Sequence, residues 1–99
     1  MSVDRADWPE AEAYFEGYAD GRYDSDAHID LICKVGDLRV SEEGDALFFG
    51  RPGVDGIEFA FRRGSPAVWA YHPMESRWQQ LAENIEQFEQ GWKAGQLKV

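Results

Sequence analysis

Two runs of alternating residues, joined by a glycine-containing turn, restrict the fold more than anything else in the chain. In IEFAFRR (57–63), Ile57, Phe59 and Phe61 alternate with Glu58, Ala60 and Arg62. Gly64-Ser65-Pro66 follows as a turn, and AVWAYHP (67–73) continues as a second strand ended by Pro73. A two-residue period belongs to a β-strand, because successive side chains point to opposite faces of a sheet. In the second run Trp69 and Tyr71 share one face, and Val68 and Ala70 share the other. Faces this apolar cannot both meet water. Either the strand is central and covered on both sides, or one face is a docking surface for which Trp and Tyr are typical anchors. Burial of Trp69 and Tyr71 in the core under a helix is the simpler expectation. Trp8 and Trp78 are less constrained and stand as candidate surface anchors.

The remaining elements assemble around this hairpin. Asp7-Trp-Pro-Glu10 has the capping-box spacing, with Asp7 as N-cap, and Pro9 is tolerated in a first helical turn. Ala11, Tyr14, Phe15 and Tyr18 then fall on one face, predicting a helix over residues 8–20 that stops at Gly21. DGRYDSDAH (20–28) reads as a polar loop. IDLICKV (29–35) alternates Ile29, Leu31, Cys33 and Val35 inward against Asp30, Ile32 and Lys34. Gly36-Asp37 can turn the chain before a strand starting at Leu38 and Val40. Glu42-Glu43-Gly44-Asp45 makes another turn, ALFFG (46–50) is a short buried strand, and SRWQQLA (76–82) is a last one. Leu81, Ile85, Phe88 and Trp92 form a one-sided helical stripe, with Asn84 as N-cap, Gln87 at N3 and Gly95 as the stop. Residues 96–99 are read as a short extended tail. The sum is an α+β domain: an antiparallel-rich sheet of five to six strands with an N-terminal and a C-terminal helix.

Composition narrows the function. The chain has 99 residues, the size of one small domain, and 43% of them are apolar, including 4 Trp, 4 Tyr and 6 Phe. That is enough to build a core. Nineteen acids face ten Lys plus Arg, a formal charge of −9. Nucleic-acid binding draws on cations that displace counterions, and the only adjacent pair is Arg62-Arg63, so DNA or RNA is a poor ligand. Such charge either keeps the protein soluble or suits a basic protein partner. No apolar run reaches membrane-spanning length, MSVDRADWPE has no apolar signal region, and Cys33 is the only cysteine. These features favour the cytoplasm.

The chemical motifs fall short one by one. Gly50, Gly53 and Gly56 stand three apart, but a dinucleotide loop needs G-x-G-x-x-G leading into a helix, and here a strand follows. No Gly-Lys-Ser/Thr triplet exists for a P-loop. Arg51–Gly56 is better read as the turn of a hairpin, with Pro52 presetting φ. Asp24, Asp26 and His28 alternate near Cys33, yet the sixth and twelfth positions counted from Asp24 are Ile29 and Val35, where a calcium loop needs Gly and Glu. The set is also too poor in Cys and His for zinc. There is no G-x-S-x-G, and Cys33 reads as a small core side chain. His72 is a conceivable base without a visible nucleophile. An enzyme or ligand site would need a deep pocket joining His72, Tyr71 and several carboxylates. No cofactor, metal or catalytic residue is therefore expected.

Gly50 to Gly95 resembles the C-terminal portion of the SUKH superfamily, which includes yeast cell-wall-synthesis regulators and many bacterial toxin-immunity proteins. The resemblance rests on Leu47-Phe48-Phe49-Gly50, Gly56-Ile57-Glu58-Phe59-Ala60-Phe61, Val68-Trp69-Ala70-Tyr71 and Leu81-Ala82-Glu83-Asn84-Ile85-Glu86-Gln87-Phe88, in that order and spacing. Typical members are longer and carry a Leu-Pro and an Asn-Gly-Gly signature after the first helix. Neither is present, so Trp8 to Val40 matches only as a helix followed by strands. The resemblance implies an antiparallel-rich α+β fold and a protein-binding module without catalytic residues. In bacteria that means most often an immunity protein blocking a cognate toxin, for which a basic nuclease-type toxin domain would suit the −9 charge. The alternative is a regulatory or scaffold subunit of another assembly.

Overall fold

The computed structural model describes residues 3–25, 29–51 and 56–97. Its centre is a five-stranded antiparallel sheet whose strands follow sequence order: β3 (Arg39–Val40), β4 (Ala46–Gly50), β5 (Glu58–Arg62), β6 (Ser65–His72) and β7 (Arg77–Ala82). A separate antiparallel pair, β1 (Arg22–Asp24) and β2 (Ile29–Ile32), lies beside β4. The two parts are joined where the Cys33 backbone N–H donates to the Phe49 carbonyl at 2.6 Å. The helices α1 (Glu12–Gly17) and α2 (Ile85–Lys93) complete the α+β architecture.

The core lies on one side of the large sheet. Leu47, Phe49, Phe59, Phe61, Val68 and Ala70 pack there against Ala11, Tyr14, Ile85 and Phe88. Phe49 is the hub: its ring sits 4.6 Å from Phe61 and 5.9 Å from Phe88, centre to centre. Helix α2 forms as its stripe predicts. Asn84 accepts from the Gln87 N–H at 2.8 Å, and Gly95 takes a φ of +73° at the stop. Leu81 belongs to β7, not to the helix. Instead of extending, residues 96–97 fold back, both backbone N–H groups donating to the Gly91 carbonyl; residues 98–99 lie outside the described set.

Several expectations are corrected. The helix predicted over 8–20 is a 3₁₀ turn at Pro9–Ala11 followed by the shorter α1. Asp7 does not cap it. Asp4 caps an earlier 3₁₀ turn, Arg5–Asp7, while Glu10 accepts from the Gly64 N–H at 2.7 Å and ties the N-terminal segment to the sheet. The polar stretch 20–28 contains β1. Strand β2 ends at Ile32, with Leu31 and Ile32 both buried, whereas Val35 is exposed in a 3₁₀ turn. The β5–β6 turn is the two residues Arg63-Gly64, so Ser65 and Pro66 begin β6. Pro66 precedes the first β7 partner of β6, which is Val68, so its missing N–H has no place in that ladder.

Candidate functional site: the open face of the sheet

The placement of that turn decides which face each side chain of β6 occupies. With Arg62 paired to Ser65 and a bulge beside Phe61, Ala60 lies opposite Trp69, and Phe59 opposite Ala70. Trp69 and Tyr71 therefore point away from the helices, opposite to the expected burial in the core. Cross-strand register extends the open face outward as a row, Arg39, Phe48, Ala60, Trp69 and Gln80, beside a second row, Glu58, Tyr71 and Trp78.

Long rings converge over the small residue at the centre. Ala60 is wholly buried although it faces away from the core. Phe48 and Trp78 stack at 6.2 Å with 14° between their planes, and Tyr71 meets Trp78 at 4.9 Å. The Arg62 guanidinium lies 4.7 Å from the centre of the Trp78 ring and 5.2 Å from that of Trp69. Arg39 lies 4.6 Å over Phe48 and pairs with Glu58. Each such cation–π contact contributes about 0.5–2 kcal/mol, more as water is excluded. Phe48, Arg62, Trp69, Tyr71 and Trp78 all remain partly exposed. The Trp69 indole Nε1–H is buried without an acceptor among the described residues.

Compared with known proteins, this chain matches no family model, no curated protein and no solved structure.

The other candidates separate in space. Trp78 stands on the open face, in keeping with a surface anchor, but Trp8 is only 1% exposed and lies beneath the Arg63 guanidinium, 3.6 Å from its ring centre. Trp8 is thus a core residue and not an anchor. His72 and Tyr71 point to opposite faces of β6, so they line no common pocket among the described residues. His72 is buried with Nε2 2.9 Å from Gln79 Oε1, beside a hollow of only about 60 Å³. Cys33 is partly buried against the core, and its carbonyl accepts from the Tyr14 hydroxyl at 2.6 Å. No group of His, Cys, Asp and Glu suited to a metal occurs among the described residues, and Asp26 and His28 lie outside them.

Gly50 and Gly56 serve the backbone. A Cβ on Gly50 would run into the Leu31 carbonyl, and Gly56 takes a φ of +69° ahead of β5. Pro52 and Gly53 fall outside the described residues. A larger hollow of about 500 Å³ lies between Tyr23, Leu31 and Trp92, but its cations Arg22 and Lys93 are both engaged by Glu89.

Sequence reasoning passed over Phe48, Arg39 and Arg62 as members of a site. The signal was the same alternation: in ALFFG, Phe48 takes the face opposite Leu47, and Arg62 shares parity with Glu58 and Ala60.

Proposed function

We propose that this chain is a non-enzymatic protein-binding module, an immunity protein of the SUKH kind that neutralises a bacterial toxin, and that it docks through the open face of its sheet. The observation that supports this reading is the layer of Phe48, Trp69, Tyr71 and Trp78 laced with Arg39 and Arg62, standing outside the core. Trp, Tyr and Arg dominate the binding energy of protein interfaces, because large rigid rings bury area at low entropic cost and the guanidinium offers directed hydrogen bonds. The net charge of −9 adds long-range steering toward a cationic toxin, such as one that grips phosphates. The resemblance of Gly50–Gly95 to immunity proteins points the same way.

The test is to read the genes beside its own, where a toxin is expected, and to co-express the chain with that toxin. The chain should protect cells and co-purify with the toxin domain. The double variant Trp69→Ala/Trp78→Ala should lose affinity by about 100-fold or more while keeping its circular dichroism spectrum. Failure to protect against that toxin would sink the immunity reading. A complex indifferent to both substitutions would move the docking site elsewhere.

A further inference from the structure

We infer that Arg62 determines specificity on the open face, and that what it selects is a single aspartate or glutamate side chain on the partner protein, seated beside an apolar one. The inference rests on the protein-binding reading above. In this acid-rich chain Arg5, Arg22, Arg39, Arg63 and Arg77 each reach a carboxylate. Arg62 reaches none among the described residues, although it is partly buried and held between two indoles. A guanidinium fixed in this way has lost its rotamer freedom already, and its fork of N–H donors matches the two oxygens of a carboxylate.

The same cluster holds a second donor without an acceptor, the Trp69 Nε1–H. That nitrogen is closed off from solvent by the protein itself, so the partner's carboxylate meets the partly exposed guanidinium and not the indole. The neighbouring charge is already balanced: Glu58 pairs with Arg39, which leaves Arg62 as the uncompensated cation of the three. Phe48, Tyr71 and Trp78 surround it and supply apolar contact for the flanking residue of the ligand. The overall charge of −9 works against a partner acidic throughout. The fitting surface is therefore neutral or basic around one carboxylate.

The experiment pans the whole chain against a random-sequence peptide library displayed on phage. Enriched peptides should share an Asp or Glu adjacent to an aromatic or aliphatic residue. Synthetic copies should bind at least about tenfold more weakly to Arg62→Gln, with Arg51→Gln unaffected. Arg62→Glu should reverse the selection toward Lys- or Arg-containing peptides, a gain that a misfolded variant could not produce. Failure to enrich any peptide, enrichment without acidic residues, or binding indifferent to Arg62→Gln would each overturn the inference. A toxin partner lost on Trp69→Ala/Trp78→Ala but retained by Arg62→Gln would leave the docking face standing and refute the carboxylate alone.

Discussion

Arg22 Nε lies 3.3 Å from Glu89 Oε2, and this one carboxylate fastens the 18–22 segment to helix α2. Its other oxygen accepts from the Tyr18 hydroxyl, at the end of α1, at 3.1 Å. Lys93, one turn along α2, approaches at 3.6 Å. The Arg22 guanidinium also covers the Tyr18 ring at 4.6 Å. Glu89 is only 16% exposed in its side chain, so its removal strands partly buried donors. Glu89→Ala is expected to cost about 1–3 kcal/mol, lowering the melting temperature by roughly 4–8 °C per kcal/mol. Glu89→Gln, which retains an oxygen for Tyr18, should cost less. Lys93→Ala, at an exposed position, should change stability by less than about 0.5 kcal/mol. Thermal melts of the three variants check the order.

Stability should fall on the alkaline side because of two phenols. Burial pushes the Tyr14 hydroxyl above its ordinary value, with the Cys33 and Asp37 charges adding to it. Burial likewise raises Tyr18, followed by its hydrogen bond to Glu89. Each phenol therefore holds its proton longer folded than unfolded. The stabilisation is complete below the unfolded value near 10.0 and is lost as pH rises through the folded values. Urea titrations from about pH 8 to pH 11 should show constant stability and then a decline. Tyr14→Phe should cost about 1–2 kcal/mol at neutral pH, through loss of its hydrogen bond to the Cys33 carbonyl, and flatten that decline without abolishing it. An unchanged alkaline slope would argue against this role for Tyr14.

Gly50 is required for close approach. A Cβ there meets the backbone of Leu31 in β2, which cannot swing aside as a flexible side chain would. Gly50→Ala must therefore part β2 from β4, at a cost of about 3 kcal/mol or more. Gly64, in the β5–β6 turn, has a φ of +83° but open space around it. Gly64→Ala should cost only about 1 kcal/mol, the ordinary penalty for that backbone region. Chemical denaturation of both variants separates steric from conformational need.

Strands β5 and β6 were legible from alternation and helix α2 from its one-sided stripe, with Asn84 and Gly95 marking the helix ends, whereas β4 and β7 were read as short runs between turns. Strand β1 was not, since Arg22-Tyr23-Asp24 has no apolar periodicity; it pairs with β2, next to a Gly21 whose φ is +82°. The candidate site was lost by one residue of register. Placing the turn at Gly64-Ser65-Pro66 sets Trp69 opposite Phe61 and buries it. The tighter Arg63-Gly64 turn with its bulge sets Trp69 opposite Ala60 and turns it outward. Parity along the strand was plain, but the turn that fixes its sign depends on contacts from residues far away in sequence. Those are Glu10 accepting from the Gly64 N–H, and Arg63 covering Trp8 and binding the Asp7 carbonyl.

The two faces of the sheet should respond differently to loss of an aromatic ring. Phe88 is fully buried against Phe49 and Phe59, so Phe88→Ala leaves a cavity inside the core. That change should cost about 3–5 kcal/mol. Trp78 is larger, but it stands on the edge strand β7, partly exposed, with Phe48, Tyr71 and Arg62 as its neighbours. Solvent can fill the space it leaves, so Trp78→Ala should cost only about 1–2 kcal/mol, chiefly the ring and cation–π contacts. Urea denaturation should show a small shift in midpoint with an unchanged slope for Trp78→Ala, and a large shift for Phe88→Ala. A Trp78→Ala cost equal to that of Phe88→Ala would make the open face a second structural core. A small cost joined to a large loss of partner affinity would fit a surface kept for binding.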